Sequence, residues 1–188
     1  MTDPFAVFGL PRCLWLEQDA LKERFHRLTT EHHPDIKGGD EAKFSEVNAA
    51  YTTLRDPALR LSCFLALEGF ETRGGVCAPD DLGQLFMDTG FVRQKFEAFL
   101  KKEESTRSPI GKAMLAAEKY EVMDAVEAQI GVLHRRRNAL IEEIREIDGS
   151  WPRDAESNAR RLAKIADSLA FFGKWINQLR EGYARLAI

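Results

Sequence analysis

Apolar residues recur along this chain in steps of three and four, and runs of strict alternation are nearly absent. Such spacing lines one face of an α-helix, whereas alternation would line one face of a strand. Leu21, Phe25 and Leu28 mark a helix over residues 17–31, and Phe44, Val47, Tyr51 and Leu54 mark a second. A short helix from Pro4 to Phe8, ending at Gly9, precedes them, and a short apolar helix from Leu59 to Leu67 follows. The breaks are chemical. Pro34 disfavours helix at His33. Gly38-Gly39 releases the chain, and Asp40 is suited to cap the next helix. Asp56-Pro57 ends that helix.

Residues 71–81 (ETRGGVCAPDD) are rich in glycine, proline and charge, and read as a linker between residues 1–70 and 82–188. Beyond it lie three more amphipathic patterns. Leu85, Val92, Phe96 and Phe99 share a face, with Thr89 in register. Met123, Val126, Ile130, Leu133, Leu140, Ile144 and Ile147 form a second stripe, interrupted by Arg137. Leu162, Ile165, Leu169, Phe172, Ile176, Leu179, Tyr183 and Leu186 form a third, whose alternating steps of three and four make a heptad seam. Polar links at 105–109 and 148–154 are short, so the three helices form an antiparallel bundle. The predicted fold is all-α, a helical hairpin followed by that bundle.

Composition narrows the function classes. With 44% apolar and 30% charged residues the chain is globular, and a net charge of −3 argues against nucleic acid or an anionic membrane as partner. No window reaches the roughly 18 apolar residues a spanning helix needs. Residues 1–4 lack a basic signal region, and Cys13, Cys63 and Cys77 are scattered, so a reducing cytoplasm is expected, without disulfides or structural zinc. His26, His32 and His33 cluster beside Asp35, which raises a histidine-centred metalloenzyme as an alternative. Against it, no H-E-x-x-H pattern is present and no acidic residue lies at the right offset between His26 and His33. No nucleophile elbow, phosphate loop or cysteine cluster is visible, so no catalytic residue, metal or cofactor is assigned.

The distinctive feature is His33-Pro34-Asp35, a stiff polar tip between two helices. The helix before it carries Lys22, Arg24, His26 and Arg27 off its apolar stripe. By default such a face is solvated surface, but a cationic helix ending in a rigid turn also suits an acidic docking partner. With F-x-x-V-x-x-A-Y-x-x-L-x-D-P at 44–57, this segment resembles a J-domain, the module that activates chaperones of the heat-shock-seventy class. The resemblance implies that His33, Pro34 and Asp35 contact the chaperone and stimulate its ATP hydrolysis, while Lys22, Arg24 and Arg27 bind its acidic surface. His26 stands where a lysine or arginine is common, which predicts a weaker, pH-sensitive face. Phe25, Phe44, Val47, Tyr51 and Leu54 are expected in the core.

D-P-F-A-V-F-G-L-P at 3–11, R-L-S-C-F-L-A-L-E-G at 60–69 and the three-helix unit resemble the HscB/Jac-type co-chaperones of iron–sulfur cluster assembly. That resemblance implies a non-enzymatic co-chaperone that presents an IscU-type scaffold to an HscA-type chaperone; an adaptor for another client is the alternative. The scaffold-binding helix corresponds to L-F-M-D-T-G-F-V-R-Q-K-F at 85–96, where Leu85, Phe86, Met87 and Arg93 match in kind. Gly90, Phe91 and Gln94 replace an expected bulky apolar residue and acids, and a mid-helix glycine costs about 1 kcal/mol. A late start or a bend in this helix is therefore predicted. A family aromatic on the last helix maps to Phe171, so Phe86, Met87, Phe91 and Phe171 are the candidate scaffold contacts. Phe171 and Trp175, four apart, lie off the heptad seam, as Met87 and Phe91 lie off theirs. These pairs are either a widened core or an exposed anchor.

Overall fold

Aspartate followed by proline opens two of the helices. Asp3 accepts the Phe5 and Ala6 N–H groups at the start of α1 (Pro4–Val7), and Asp56 accepts those of Ala58 and Leu59 at the start of α4 (Pro57–Leu67). In each, proline occupies the first turn, where a missing N–H is harmless and a fixed φ is already helical. Asp56 also terminates α3 (Glu41–Arg55), which Asp40 opens by accepting the Lys43 N–H. Between α1 and α3 lies α2 (Gln18–Glu31). These belong to a computed structural model that describes the chain except Met1, Lys37, residues 71–81, Ile188 and the side chain of Pro152. The linker reading at 71–81 therefore lies outside the described residues.

Three longer helices follow: α5 (Gly83–Ser105), α6 (Pro109–Asp148) and α7 (Ala155–Leu186), the last two joined across a 3₁₀ turn at Trp151–Arg153. Among the described residues there is no strand. The all-α fold expected from periodicity is the observed one. Packing divides the chain into two compact units, Met1–Gly75 with Leu140–Asp167, and Val76–Ala139 with Ser168–Ile188.

In the first unit α1, α2 and α4 all pack on α3. Phe5, Leu14, Leu21, Leu54, Leu61, Phe64 and Leu65 are fully buried there. The segment before α2 is part of this core, since Leu14 and Leu16 are buried. Polar groups pin it: the Leu14 N–H donates to Asp148 Oδ1 at 2.7 Å, and the Leu14 carbonyl accepts from Arg60 Nε at 3.0 Å. Arg60 is 2% exposed and also donates to the Leu54 carbonyl at 2.6 Å, satisfying an orphan acceptor in the last turn of α3. Burial lowers its pKa, yet guanidinium stays charged at any ordinary pH. Trp151 closes the unit by standing edge-on to both Phe64 and Phe70.

In the second unit α5 runs antiparallel to α6 and parallel to α7. Thr89 pairs with Gln129 and Lys102 with Glu118, while Phe86 meets Trp175 and Phe96 faces Gly182. The late start predicted for α5 is not found: the helix begins at Gly83 and continues through Gly90. Phe96, Phe99 and Leu100 are buried on one side of it, and packing of that kind outweighs a glycine costing about 1 kcal/mol. On α6 the expected stripe is buried at Val126, Leu133, Ile144 and Ile147, and it differs on one flank. Val122 and Gln129 are buried where Met123 and Ile130 are half-buried, and the Gln129 amide donates to the Thr89 hydroxyl at 3.0 Å within the core. That hydroxyl in turn donates to the Leu85 carbonyl.

Candidate functional site

Helix α2 stops where Pro34 removes a donor, and the chain folds back through hydrogen bonds from Ile36 N–H to the His33 carbonyl, Gly39 N–H to the Ile36 carbonyl, and Asp40 N–H to the His32 carbonyl. The result is a compact tip on which Pro34 and Asp35 are exposed and His33 is half-buried. The His33 ring rests edge-on against Phe44, with ring centres 5.4 Å apart. Its Nδ1 accepts the Asp35 N–H at 3.2 Å, which assigns the proton of the neutral ring to Nε2. The Asp35 carboxylate stands 3.7 Å from the same nitrogen and becomes an ion-pair partner only when the ring is protonated. A shallow cavity of about 380 Å³ opens beside His33 between α2 and α3, floored by Phe25, Ile36 and Phe44.

The cationic residues of α2 do not form one uniform face. Lys22, His26 and Arg27 are exposed. Arg24 turns the other way: its guanidinium donates to the Phe8 carbonyl at 2.9 Å and the Gly9 carbonyl at 3.4 Å, tying α2 to the end of α1. The apolar side of α2 reaches α3 through Phe25, whose ring stacks on Tyr51 at 3.9 Å. Val47 and Leu54 are fully buried, whereas Phe25, Phe44 and Tyr51 are partly exposed. Among the described residues, no group of three or more histidine, cysteine, aspartate or glutamate side chains could hold a metal ion. Cys13 and Cys63 are free thiols whose pKa burial raises.

A second surface lies on α5 and α7. Phe86, Met87 and Phe91 are 54%, 52% and 61% exposed, high values for large apolar side chains. Phe171 is half-buried. Trp175 is 6% exposed and gathers three rings: Phe86 at 5.7 Å, Phe171 at 5.6 Å and Phe172 at 6.2 Å. The pair left open between core and anchor thus divides, with Trp175 in the core and Phe171 at its margin. Met87 and Phe91 stay outside. The neighbouring polar groups pair along α5, the Arg93 guanidinium with the Glu97 carboxylate and the Gln84 amide donating to the Asp88 carboxylate, and so flank the rings without covering them. An apolar patch built on a buried ring has the anatomy of a protein-binding hot spot.

Residues 3–62 match the family model of the DnaJ domain. Over 170 residues the chain is 27% identical to the co-chaperone protein HscB homolog of Vibrio vulnificus, a match spanning 86% of this chain and 90% of that protein. The chain carries a J-domain, and its likeness to HscB co-chaperones runs over most of its length. Over a shorter stretch the likeness is denser: a 75-residue match to the HscB homolog of Mannheimia succiniciproducens reaches 40% identity, covering 36% of this chain and 43% of that one. Chaperone HscB from Vibrio cholerae shares the fold, with a TM-score of 0.63 at 21% identity over 98% of this chain and 99% of that chain. Within the J-domain, two arginines escape a reading by sequence. Arg24 and Arg60 look like surface charge, yet both are spent on backbone carbonyls. No periodicity marks them; only the count of orphan carbonyls at helix ends could have.

Proposed function

We propose that this J-domain co-chaperone delivers an iron–sulfur scaffold protein of the IscU type to a heat-shock-seventy-class chaperone of the HscA type. The observation that carries the proposal is that two unlike surfaces are left uncovered on one chain. One is a polar, hydrogen-bonded tip at 33–35, and the other is an aromatic patch over Trp175. His33, Pro34 and Asp35 engage the chaperone and trigger its ATP hydrolysis, so the chemistry belongs to the chaperone and the co-chaperone is not itself an enzyme. Lys22 and Arg27 steer docking on an acidic surface by charge complementarity. Arg24 supports them from behind, since its guanidinium holds α2 against α1. Phe86, Met87, Phe91 and Phe171 form the scaffold contact. Phe91, 61% exposed where an acid is expected by resemblance, makes that contact more apolar and also favours a second reading in which the client differs. Similarity to HscB co-chaperones supports a cytoplasmic setting. In keeping with it, no described helix is long and apolar enough to cross a membrane.

Steady-state ATP hydrolysis by an HscA-type chaperone tests both surfaces at once. Wild-type protein raises the rate, and adding an IscU-type scaffold raises it further. His33→Gln abolishes the stimulation with helicity unchanged. Met87→Ala with Phe171→Ala leaves scaffold-free stimulation intact and weakens scaffold binding by about tenfold, the loss expected for two rim-to-centre contacts. Full stimulation by His33→Gln refutes the first assignment, and undiminished scaffold affinity of the double variant refutes the second.

A further inference from the structure

Gly38-Gly39 reads in the sequence as slack that frees the chain after the tip. The two glycines in fact do different work. Gly38 has a φ of +93°, and an added Cβ would meet nothing within 4 Å. Gly39 has an ordinary φ but no room: a Cβ there would collide with the carbonyl oxygen of His33, lie 2.8 Å from its carbonyl carbon and 3.2 Å from the Ile36 carbonyl oxygen. These obstacles are backbone, which cannot swing aside as a long side chain would. The Gly39 backbone thus presses directly on the peptide group that carries His33. The same peptide group accepts the Ile36 N–H, and the Gly39 N–H closes the adjoining turn onto the Ile36 carbonyl.

We propose that Gly39 is a positioning residue for the tip: its bare Cα is the surface against which the His33 peptide is seated, and this fixes where the imidazole is presented to the chaperone. Resting on the reading of His33 as the triggering residue, the proposal names what sets its geometry. Any side chain at 39 displaces the His33 carbonyl. Displacement draws the ring from the Phe44 edge and opens the contact between Nδ1 and the Asp35 N–H. The docking cations Lys22 and Arg27 lie on α2, more than a helical turn before the tip, and keep their places. Position 39 therefore governs the efficiency of the trigger after docking, and the strength of docking only weakly.

The test compares Gly39→Ala, Gly38→Asn and His33→Gln in the full chain, with an HscA-type chaperone as probe. Asparagine serves at 38 because it tolerates positive φ better than other side chains. Gly39→Ala is expected to lower maximal ATPase stimulation roughly tenfold, a loss in keeping with sub-ångström misplacement of a trigger group, while the half-saturating concentration changes less than about twofold. Its His33 ring and Asp35 amide NMR resonances shift, and its helicity and melting midpoint stay close to those of Gly38→Asn, which retains most of the stimulation. Wild-type stimulation by Gly39→Ala beside a silent His33→Gln overturns the positioning role and leaves the function standing. Loss of helicity in Gly39→Ala alone overturns it too, by making Gly39 a folding residue. Stimulation by His33→Gln removes the underlying reading instead.

Discussion

The tip at 33–35 and the aromatic patch on α5 and α7 are both surfaces offered outward, but they are made in opposite ways. The tip is held by backbone hydrogen bonds and one side-chain acceptor, with a glycine as its seat. The patch is held by contact area, with Phe86 and Phe171 leaning on an indole that is itself buried. Hydrogen bonds are directional, so the tip has one geometry and tolerates little substitution. Ring contacts are broad and shallow, so the patch can shift by fractions of an ångström and still bury its partner. The proposed trigger calls for the first kind of construction, and the proposed grip on a client for the second.

Substitutions sharpen this contrast. Removing the support of the patch has the largest effect on stability: Trp175→Ala lowers it by about 3 kcal/mol in urea denaturation, as truncation of a buried aromatic does. Met87→Ala, exposed on the same patch, changes stability by less than about 0.5 kcal/mol. Equal losses for the two would erase the distinction between support and contact. Next comes Arg60→Met on the hydrogen-bonded side, which orphans the Leu14 and Leu54 carbonyls and costs about 2 kcal/mol. A neutral result there would mean that hydrogen bonds do not hold the J-domain unit together. Lys22→Glu is smaller and confined to binding. It weakens chaperone docking about fivefold at low salt, and the deficit shrinks as salt is added, as for a rim charge.

The smallest effect is a pH dependence in the bundle. His134 has its pKa lowered by burial first, then by Arg180 and Arg137; its Nε2 sits 3.1 Å from the Arg180 guanidinium. The folded protein disfavours the imidazolium, so below about pH 6.5 the unfolded chain binds more protons and stability falls with pH. Melting midpoints measured between pH 7.5 and 5.5 should decline, and His134→Gln should flatten the slope. A wild-type slope in the variant would locate the effect elsewhere.

Helix positions were legible because proline, aspartate and glycine punctuate the chain and the apolar stripes repeat. The His33 tip was legible because its chemistry is carried by three consecutive residues. Less legible was anything decided by one helix covering another. Trp175 and Phe171 share a flank of α7, but only the arrival of Phe86 from α5 buries one and leaves the other at the margin. Gln129 takes a core position that a hydrophobic count assigns to its neighbour, because Thr89 is there to receive its amide. Leu14 and Leu16 lie in a segment with no helical period, so their burial leaves no trace in the pattern. Arg24 and Arg60 are the same lesson for charge.

The indole beneath the patch has one more consequence. The chain's other tryptophans, Trp15 and Trp151, belong to the first unit, and Trp175 is the single one in the second. With Trp15 and Trp151 replaced by phenylalanine, all tryptophan fluorescence would arise from a chromophore in touch with two rings of the proposed client surface. Binding of a partner at that patch would then be visible as a change in emission from the protein itself, with no dye attached.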